Sequence, residues 1–308
     1  MIQQLVSRLL SSLVVIIGVA TLVFLLIHLV PGDPVEVMLG ESAQPADRDA
    51  LRHELGLDKP VHIQLWEFYG NLLRFDLGTS LHSKQAITEV LAERLPATIE
   101  LAIAGMVIAL VLAFPLGILA AVRKDTIWDS GAMTVSLVGV SIPNFVMGPL
   151  LILMFAVWAN LLPVSGREGF ASLILPAITL GTALASVLSR MVRASLLEVF
   201  NEDYIRTARA KGLAEQVVVW RHGMRSAMLP VITLLGLQLG ALLAGAVITE
   251  TVFSWPGIGL LTIEAIQTRD YPVVQACVLL ISTTYVVVNT LTDLAYAWLD
   301  PRIRMGGS

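Results

Sequence analysis

Charged residues are scarce in this sequence, since Asp, Glu, Lys and Arg together make up only 14% of its 308 residues, against about 25% in an average soluble domain. Apolar residues account for 56% of the chain, and the mean hydropathy is +0.78. This composition excludes an ordinary soluble domain and predicts a membrane protein. The net charge of -4 shows no basic excess, so nucleic acid is excluded as a main partner.

Catalytic patterns are lacking as well. The sequence has no H-E-x-x-H, G-x-S-x-G or C-x-x-C pattern, and its five histidines are scattered. It also has no G-x-x-x-x-G-K-[ST] loop to bind nucleotide phosphates. The single cysteine, Cys277, excludes an internal disulfide and lies in an apolar run, where a buried thiol is expected. We therefore expect no catalytic residue, no metal ligand and no cofactor in this chain.

Long uncharged runs are abundant instead. A hydrocarbon core of about 30 Å needs roughly 20 apolar residues in a helix, and each central Asp, Lys or Arg would cost about 2.5–3.5 kcal/mol on the insertion scale. Six runs meet this requirement, namely residues 9–30, 101–122, 133–162, 172–189, 227–249 and 271–292. The predicted fold class is an all-α polytopic membrane protein with six transmembrane helices.

Lysine and arginine decide the predicted orientation. With a cytoplasmic N-terminus, twelve of the 20 basic residues fall on the cytoplasmic side and only Arg167 and Arg269 lie in short external segments. The other six lie in segment 31–96, which is too long for its charge to direct topology. We therefore expect cytoplasmic termini and three parts: residues 1–30 with the first span, the extracytoplasmic segment 31–96, and a five-helix core, 97–308, with a cytoplasmic loop at 194–228.

Two external stretches have recognisable local patterns. Apolar positions at helical spacing in 31–96 indicate two short amphipathic helices near the membrane surface. The stretch "ETVFSWPGIGLL" at 250–261 predicts a strand-like start followed by a turn, with Trp255 as an anchor at the membrane interface.

The third run contains Pro143 and Pro149, which predict a kinked helix. Kinked membrane helices usually line a pathway or pack where neighbours satisfy the freed carbonyls. Asn144, between the prolines, and Gln238, within the fifth run, are therefore candidates for a translocation pathway. For Asn144, a hydrogen bond to a neighbouring helix is the alternative.

A compact basic segment, "EDYIRTARAKGLAEQVVVWRHGMRSAMLP" at 202–230, interrupts the apolar sequence. Phe200, Tyr204 and Ala208 share one helical face, and Glu202 and Arg206 have the spacing of an i,i+4 ion pair. The glycine at 212 ends or bends this helix, and a second helix is expected at 214–224. Two other interpretations stay open at this point: a positive-inside topology signal, and an interfacial helix on anionic lipid.

The residues RTARAKG at 206–212 and the Leu-Pro at 229–230 resemble the EAA loop of permease subunits of bacterial ABC importers. The start departs from the general motif, because Arg206 and Thr207 replace Glu and Ala. That departure is similar to the dipeptide, oligopeptide and nickel permease family. The chain also resembles this family in five ordered signatures: VPGDP at 30–34, LGLDKP at 55–60, SIPNF at 141–145, RDYPVVQA at 269–276 and DPRIR at 300–304.

The resemblance implies a type I importer permease in the bacterial cytoplasmic (inner) membrane. It implies four kinds of partner: a second homologous permease, two ABC ATPase subunits that carry ATP and Mg, an extracytoplasmic substrate-binding protein, and membrane lipid. The implied substrates are dipeptides or short oligopeptides, with glutathione, nickel chelates or another small solute as alternatives. It also implies an ATPase-coupling role for Glu202, Tyr204, Arg206, Thr207, Ala208, Arg209, Ala210, Lys211, Gly212 and Pro230.

A secondary carrier is the alternative from a different class. Ion coupling usually leaves ionisable residues at mid-membrane depth, and the spans offer only His28 and Asp293, which lie at or directly beyond span ends. Broken half-helices in paired halves, which often mark a carrier site, are not expected either. The sequence therefore favours the permease subunit of an importer over a carrier.

Overall fold

The computed structural model describes residues 2–29, 34–39, 44–54 and 56–299. Most of the VPGDP signature (30–33), Leu55, the DPRIR signature (300–304) and the C-terminal Gly-Gly-Ser lie outside the described residues. The described chain is mainly helical, with no strand and one isolated bridge between Thr79 and Ala86. This confirms the predicted all-α class.

Thirteen α-helices and two π-helical turns follow one another in the described chain. Their bounds are α1 Ile2–Leu29, α2 Pro34–Leu39, α3 Pro45–Glu54, α4 Val61–Leu73, α5 Ile87–Val122, α6 Ile127–Ser141, α7 Asn144–Leu151, a π-helix Ile152–Trp158, α8 Phe170–Val199, α9 Asp203–Ala210, α10 Glu215–Val217, a π-helix Val218–Gly223, α11 Met224–Phe253, α12 Ile258–Gln267 and α13 Tyr271–Leu299. The two amphipathic helices expected in segment 31–96 correspond to α3 and α4, and α2 is an additional short helix.

Four stretches are long and apolar enough to cross a membrane: Ser7–Leu25, Ile87–Val122, Phe170–Val199 and Tyr271–Thr292. Up to six spans result if two bent pairs each count as one span, namely Ile127–Ser141 with Asn144–Trp158, and Ala246–Phe253 with Ile258–Gln267. The third predicted span is broken, because α6 and the helix that follows it are bent by 102°. Pro143 accounts for the break: it cannot donate a backbone hydrogen bond, and it holds Ile142 in an extended conformation (φ -96, ψ 114). The kink predicted for this run is therefore confirmed, as a break at Pro143, whereas Pro149 lies inside α7.

The described residues form two compact units, each treated separately below. The first comprises Thr98–Trp255 and residues 288–299, and the second comprises Ile2–Ala97 and Pro256–Val287.

Close backbone packing of α8 is the main feature of the first unit. An added Cβ at Gly181 of α8 would lie 2.6 Å from the Gly105 carbonyl oxygen of α5. One at Gly117 of α5 would lie 2.6 Å from the Ser189 carbonyl oxygen of α8. Only glycine permits such an approach, which is how small residues bring membrane helices together.

The loop and helix ends near Trp255 contradict two predictions. The helix α11 continues to Phe253, so no strand precedes the turn. Trp255 is fully buried rather than at an interface, and the Arg167 guanidinium lies 5.9 Å from its ring centroid. Arg167 also pairs with Glu100 of α5 at 2.6 Å. These contacts join residues far apart in the sequence, so local patterns did not indicate them.

The second unit has its own apolar cluster, in which Ile87, Leu91, Ile258 and Cys277 are buried. The burial of the Cys277 side chain is confirmed. Asp270, also buried, accepts hydrogen bonds from the Ser80 hydroxyl at 2.6 Å and from the Leu81 backbone N–H at 3.0 Å. These bonds satisfy a buried carboxylate and hold segment 80–81 against the start of α13.

Candidate functional site

The predicted basic segment folds as a short helix, a left-handed turn and a second helical piece between α8 and α11. Helix α9 begins after Glu202, whose backbone is extended (φ -70, ψ 145), and ends at Lys211. The second piece consists of α10 and a π-helical turn, and it continues into α11 at Met224. The expected helix at 214–224 is thus present in irregular form. The proline at 230 lies inside α11 rather than at its start.

An apolar cluster beneath α9 holds this segment in place. Ile205 and Val218 are fully buried and Ala208 is 6% exposed, with Val199 and Phe200 packed against them. Ala208 therefore packs inward instead of presenting a small surface to a partner. Tyr204, expected on the same face, is 42% exposed.

The tyrosine and both arginines of α9 find partners nearby. The Tyr204 hydroxyl donates to the Ser226 hydroxyl at 2.9 Å. Arg206 lies 3.4 Å from the Asp203 carboxylate, so the predicted pair with Glu202 is wrong. Glu202 precedes the helix in an extended conformation, which takes its side chain off the helical i,i+4 row.

Arg209 fixes the turn after α9. Its guanidinium donates to both carboxylate oxygens of Glu215, at 2.7 and 3.2 Å, and lies 5.3 Å from the Phe200 ring centroid. The Glu215 carboxylate raises the pKa of Arg209 above its ordinary value. A bidentate pair that also stacks on an aromatic ring has a defined geometry, which lysine would not reproduce.

The turn itself exposes a thin surface. Gly212 has a left-handed backbone (φ +76), and no atom lies within 4 Å of where a Cβ would be. Thr207, Ala210 and Lys211 are exposed beside it. Glycine adopts this conformation without the steric cost that other residues incur. The exposed small residues are thus Thr207, Ala210 and Gly212.

The two pathway candidates are not brought together. Asn144 is the first residue of α7 and is half-buried, directly after the break. Gln238 is half-buried within α11. A close contact of α7 with α11 lies at Gly148, where an added Cβ would be 2.9 Å from Val252. Val252 is 14 residues beyond Gln238, or about 21 Å along the helix.

Besides Asp270, two further buried carboxylates of the described chain were missed at the level of sequence. Asp129 of α6 is 5% exposed and accepts two hydrogen bonds of 2.7 Å from Arg193 of α8. Glu250 of α11 is fully buried and accepts a 2.7 Å hydrogen bond from the Thr98 hydroxyl. The only local signal for Glu250 is its place as the first acid after an uncharged run, and Asp129 and Arg193 are 64 residues apart.

Comparison with known proteins shows the family to which the chain belongs. Residues 113–305 match the family model of the binding-protein-dependent transport system inner membrane component, and residues 1–102 match the model of its N-terminal part. The chain is 42% identical over 304 residues to the glutathione transport system permease protein GsiC of Salmonella choleraesuis, and 43% identical over 304 residues to that of Pectobacterium atrosepticum. Each alignment covers 99% of both chains.

Solved structures share the fold at lower identity. The chain is 17% identical to a chain of the methionine ABC transporter MetNI in an inward-facing conformation, with a TM-score of 0.53, and the match covers 69% of this chain and 95% of that one. A chain of an amino acid ABC transporter with histidines is 13% identical, also with a TM-score of 0.53, over 70% of this chain and 94% of that one.

Proposed function

Since this chain belongs to the family of inner membrane components of binding-protein-dependent transport systems, and is therefore a multi-pass permease subunit of an ABC importer, we propose that α9 and the turn at 211–212 form its docking surface for an ATPase subunit. The observation that carries this proposal is an exposed, thin turn supported by a buried apolar cluster. A segment that transmits movement between subunits must be fixed to its own protein on one side and accessible to the partner on the other. The buried cluster fixes α9, and the turn at 211–212 is accessible.

The residues divide between support and contact. Ile205, Ala208 and the Arg209–Glu215 pair support the segment from within. Arg206, Thr207, Ala210, Lys211 and Gly212 form the contact surface, on which the two basic side chains add charge complementarity and specificity. Glu202, Tyr204 and Pro230 position the two ends of the segment. ATP-driven closure of two ATPases would then move the attached helices as rigid bodies.

Substitution of an exposed alanine tests the docking surface. Ala210→Trp adds bulk at an exposed helical position, where the cost to stability is within about 0.5 kcal/mol. We expect it to reduce the ATPase recovered with the tagged permease by about tenfold, because close approach at an interface is lost. Ala171→Trp, at an exposed position in the first turn of α8, is the matched control and should retain full recovery. Equal recovery from both variants would contradict the docking surface.

Two substitutions of Gly212 distinguish the effect of backbone conformation from the effect of side-chain bulk. Asparagine tolerates the left-handed conformation better than other non-glycine residues, whereas valine adds strain and a branched side chain. We expect Gly212→Val to insert normally but to lose ATP-dependent transport, and Gly212→Asn to retain more of it. Normal transport by Gly212→Val would count against a coupling role.

The complete importer contains further subunits. We infer a second homologous permease, two ATPases that bind ATP and Mg, and an external substrate-binding protein that contacts segment 31–96. The positive-inside distribution supports cytoplasmic termini and a cytoplasmic 194–228 loop. Mass spectrometry of the gently solubilised complex tests this assembly. A chain that purifies alone and moves solute in liposomes without ATP would instead support a secondary carrier.

For the substrate, we propose glutathione or a peptide of similar size, rather than dipeptides as a class. The support is the full-length similarity to permeases named for glutathione transport. Uptake of labelled glutathione and of a labelled dipeptide, compared in cells with and without this chain, tests the choice. We expect cells without this chain to take up labelled glutathione only at the background level. Loss of dipeptide uptake alone would assign the chain to dipeptides.

A further inference from the structure

Residues 80–85 form a compact loop directly before α5. The Ser80 N–H donates to the Gln85 carbonyl at 3.0 Å, and the Lys84 N–H donates to the Ser80 carbonyl at 3.1 Å. The Ser83 N–H donates to the Ser80 hydroxyl at 3.0 Å. These bonds fix the loop conformation within the chain itself, so little conformational entropy is lost when a partner binds to it.

A buried carboxylate attaches this loop to the start of α13. Asp270 is 3% exposed. Its Oδ2 atom accepts hydrogen bonds from the Ser80 hydroxyl at 2.6 Å and from the backbone N–H groups of Leu81 and His82 at 3.0 and 3.4 Å. The His82 Nε2 atom also lies 2.6 Å from the Thr268 carbonyl oxygen. The loop and the turn that contains Thr268 are therefore held together as one surface.

The exposed side chains of this surface are all polar. We call it the loop surface, and it consists of His82, Ser83, Lys84, Gln85, Gln267, Thr268 and Arg269, each of which is exposed. No Asp or Glu occurs between residues 77 and 88, although segment 31–96 as a whole has eleven acids against six bases. The loop surface is thus a basic patch beside an otherwise acidic segment.

Lys84 has no role in the packing of its own unit. Its backbone is left-handed (φ +58), a conformation that is uncommon for residues other than glycine and costs a lysine some strain. Its ammonium group makes no ion pair or side-chain hydrogen bond within the described residues. An exposed, strained residue whose side chain does nothing for the fold is a candidate for contact with another molecule.

We infer that the loop surface is a contact for an acidic face of the extracytoplasmic substrate-binding protein. The inference rests on the proposed function, which places a binding protein on the side of segment 31–96. Basic side chains attract an acidic partner and direct its orientation. The buried Asp270 then has a positioning role, because it holds the loop in place without contacting the partner itself.

The chemistry of the loop surface favours a transient partner over a permanent one. Permanent subunit interfaces are more hydrophobic and resemble a protein core, whereas the loop surface is polar and basic. A separate binding protein has to associate and dissociate in each transport cycle, which a polar surface permits. The second permease, as a permanent subunit, is the other candidate for this contact.

Photo-cross-linking in intact cells tests the contact in the complete importer. A photoreactive benzoylphenylalanine replaces Gln85, which is exposed beside Lys84. The same residue replaces Asp49 of α3, whose side chain is 78% exposed, as a control in the same segment but outside the loop surface. Mass spectrometry identifies the protein in each adduct.

We expect Gln85 to give an adduct with an extracytoplasmic substrate-binding protein, and Asp49 to give little. In the Gln85 background, Lys84→Glu should reduce this adduct about fivefold, because it reverses the charge that faces the acidic partner. Lys84→Arg keeps the charge at the same backbone position and should retain the adduct. Both changes are at an exposed position, where the cost to stability is small.

Three results would overturn the inference. The first is an adduct of Gln85 with the second permease, or no adduct from Gln85 at all. The second is an adduct with the binding protein from Asp49 alone, which would place the contact on α3. The third is an equal yield from Lys84→Glu and Lys84→Arg, which would exclude recognition by charge. Recovery of the ATPase from the same membranes is measured separately, and its loss with the adduct retained would contradict only the docking role of α9.

Discussion

The helices α8 and α1 are both apolar enough to span a membrane, but they are surrounded differently. Within its apolar window, 67% of α8 is buried in the protein, whereas the share for α1 is 17%. The residues of α8 must therefore fit neighbouring helices, while most of those on α1 need only be compatible with lipid. Mean hydropathy does not separate these cases, because lipid and a protein core are similarly apolar.

The difference between the surroundings of α8 and α1 is clearest at their glycines. Gly181 of α8 lies where any Cβ would meet the Gly105 backbone, whereas Gly18 of α1 has no atom within 4 Å of its Cβ position. The same residue type is thus a packing requirement on one span and a neutral choice on the other. Substitutions matched between the two helices should expose the contrast.

The largest effect is expected from Gly181→Val. The added side chain collides with backbone, which cannot move as a side chain can, so we expect a loss of more than about 3 kcal/mol in the free energy of unfolding, or failure to assemble. Gly18→Val should change it by less than about 0.5 kcal/mol. Titration with sodium dodecyl sulfate in bicelles measures both. Similar stability of the two variants would refute the close approach of α5 and α8.

A smaller effect is expected from truncating a leucine. Leu188 of α8 is fully buried and Leu22 of α1 is 63% exposed. We expect Leu188→Ala to cost about 2 kcal/mol through lost packing and a residual cavity. Leu22→Ala should cost less than about 0.5 kcal/mol, since lipid fills the space. The same titration measures both, and an equal loss at both sites would mean that a subunit covers α1 in the complex.

Much of the fold follows from local sequence properties. Uncharged runs locate the helices α1, α5, α8, α11 and α13, because a charge in hydrocarbon is costly. The extension of α5 back to Ile87 was missed, since Glu89, Glu93 and Pro96 interrupt the apolar pattern. The helix persists there because Ile87 and Leu91 are buried in the cluster of the second unit.

In the candidate site, too, local features were predicted from the sequence and contacts between distant residues were not. Residue spacing predicts α9 and the glycine that ends it, because both depend on neighbours in the chain. The inward packing of Ala208 was not predicted, since it depends on Val218 after the turn. The burial of Trp255 beside Arg167 depends on residues 88 apart, and no local pattern specifies such a contact.

The smallest effect concerns two ion pairs. Asp129 and Arg193 have side chains 7% and 28% exposed, whereas those of Lys59 and Glu67 are 42% and 47% exposed. A double-mutant cycle with Asp129→Asn and Arg193→Gln should give a coupling energy of about 1–1.5 kcal/mol, because removing one partner leaves a poorly solvated charge. The cycle with Lys59→Gln and Glu67→Gln should give less than about 1 kcal/mol.

Salt distinguishes the two pairs independently of their magnitudes. The exposed pair should lose most of its coupling when the ionic strength rises from about 0.1 to 1 M, because the Debye length falls from about 10 to 3 Å. The pair between α6 and α8 should lose little, since it is largely shielded from solvent. If both couplings fell together, Asp129 would have to be accessible to water, contrary to its burial beside Arg193. If only the exposed pair responded, the contrast between closely packed and exposed parts of the chain would extend from apolar residues to charges.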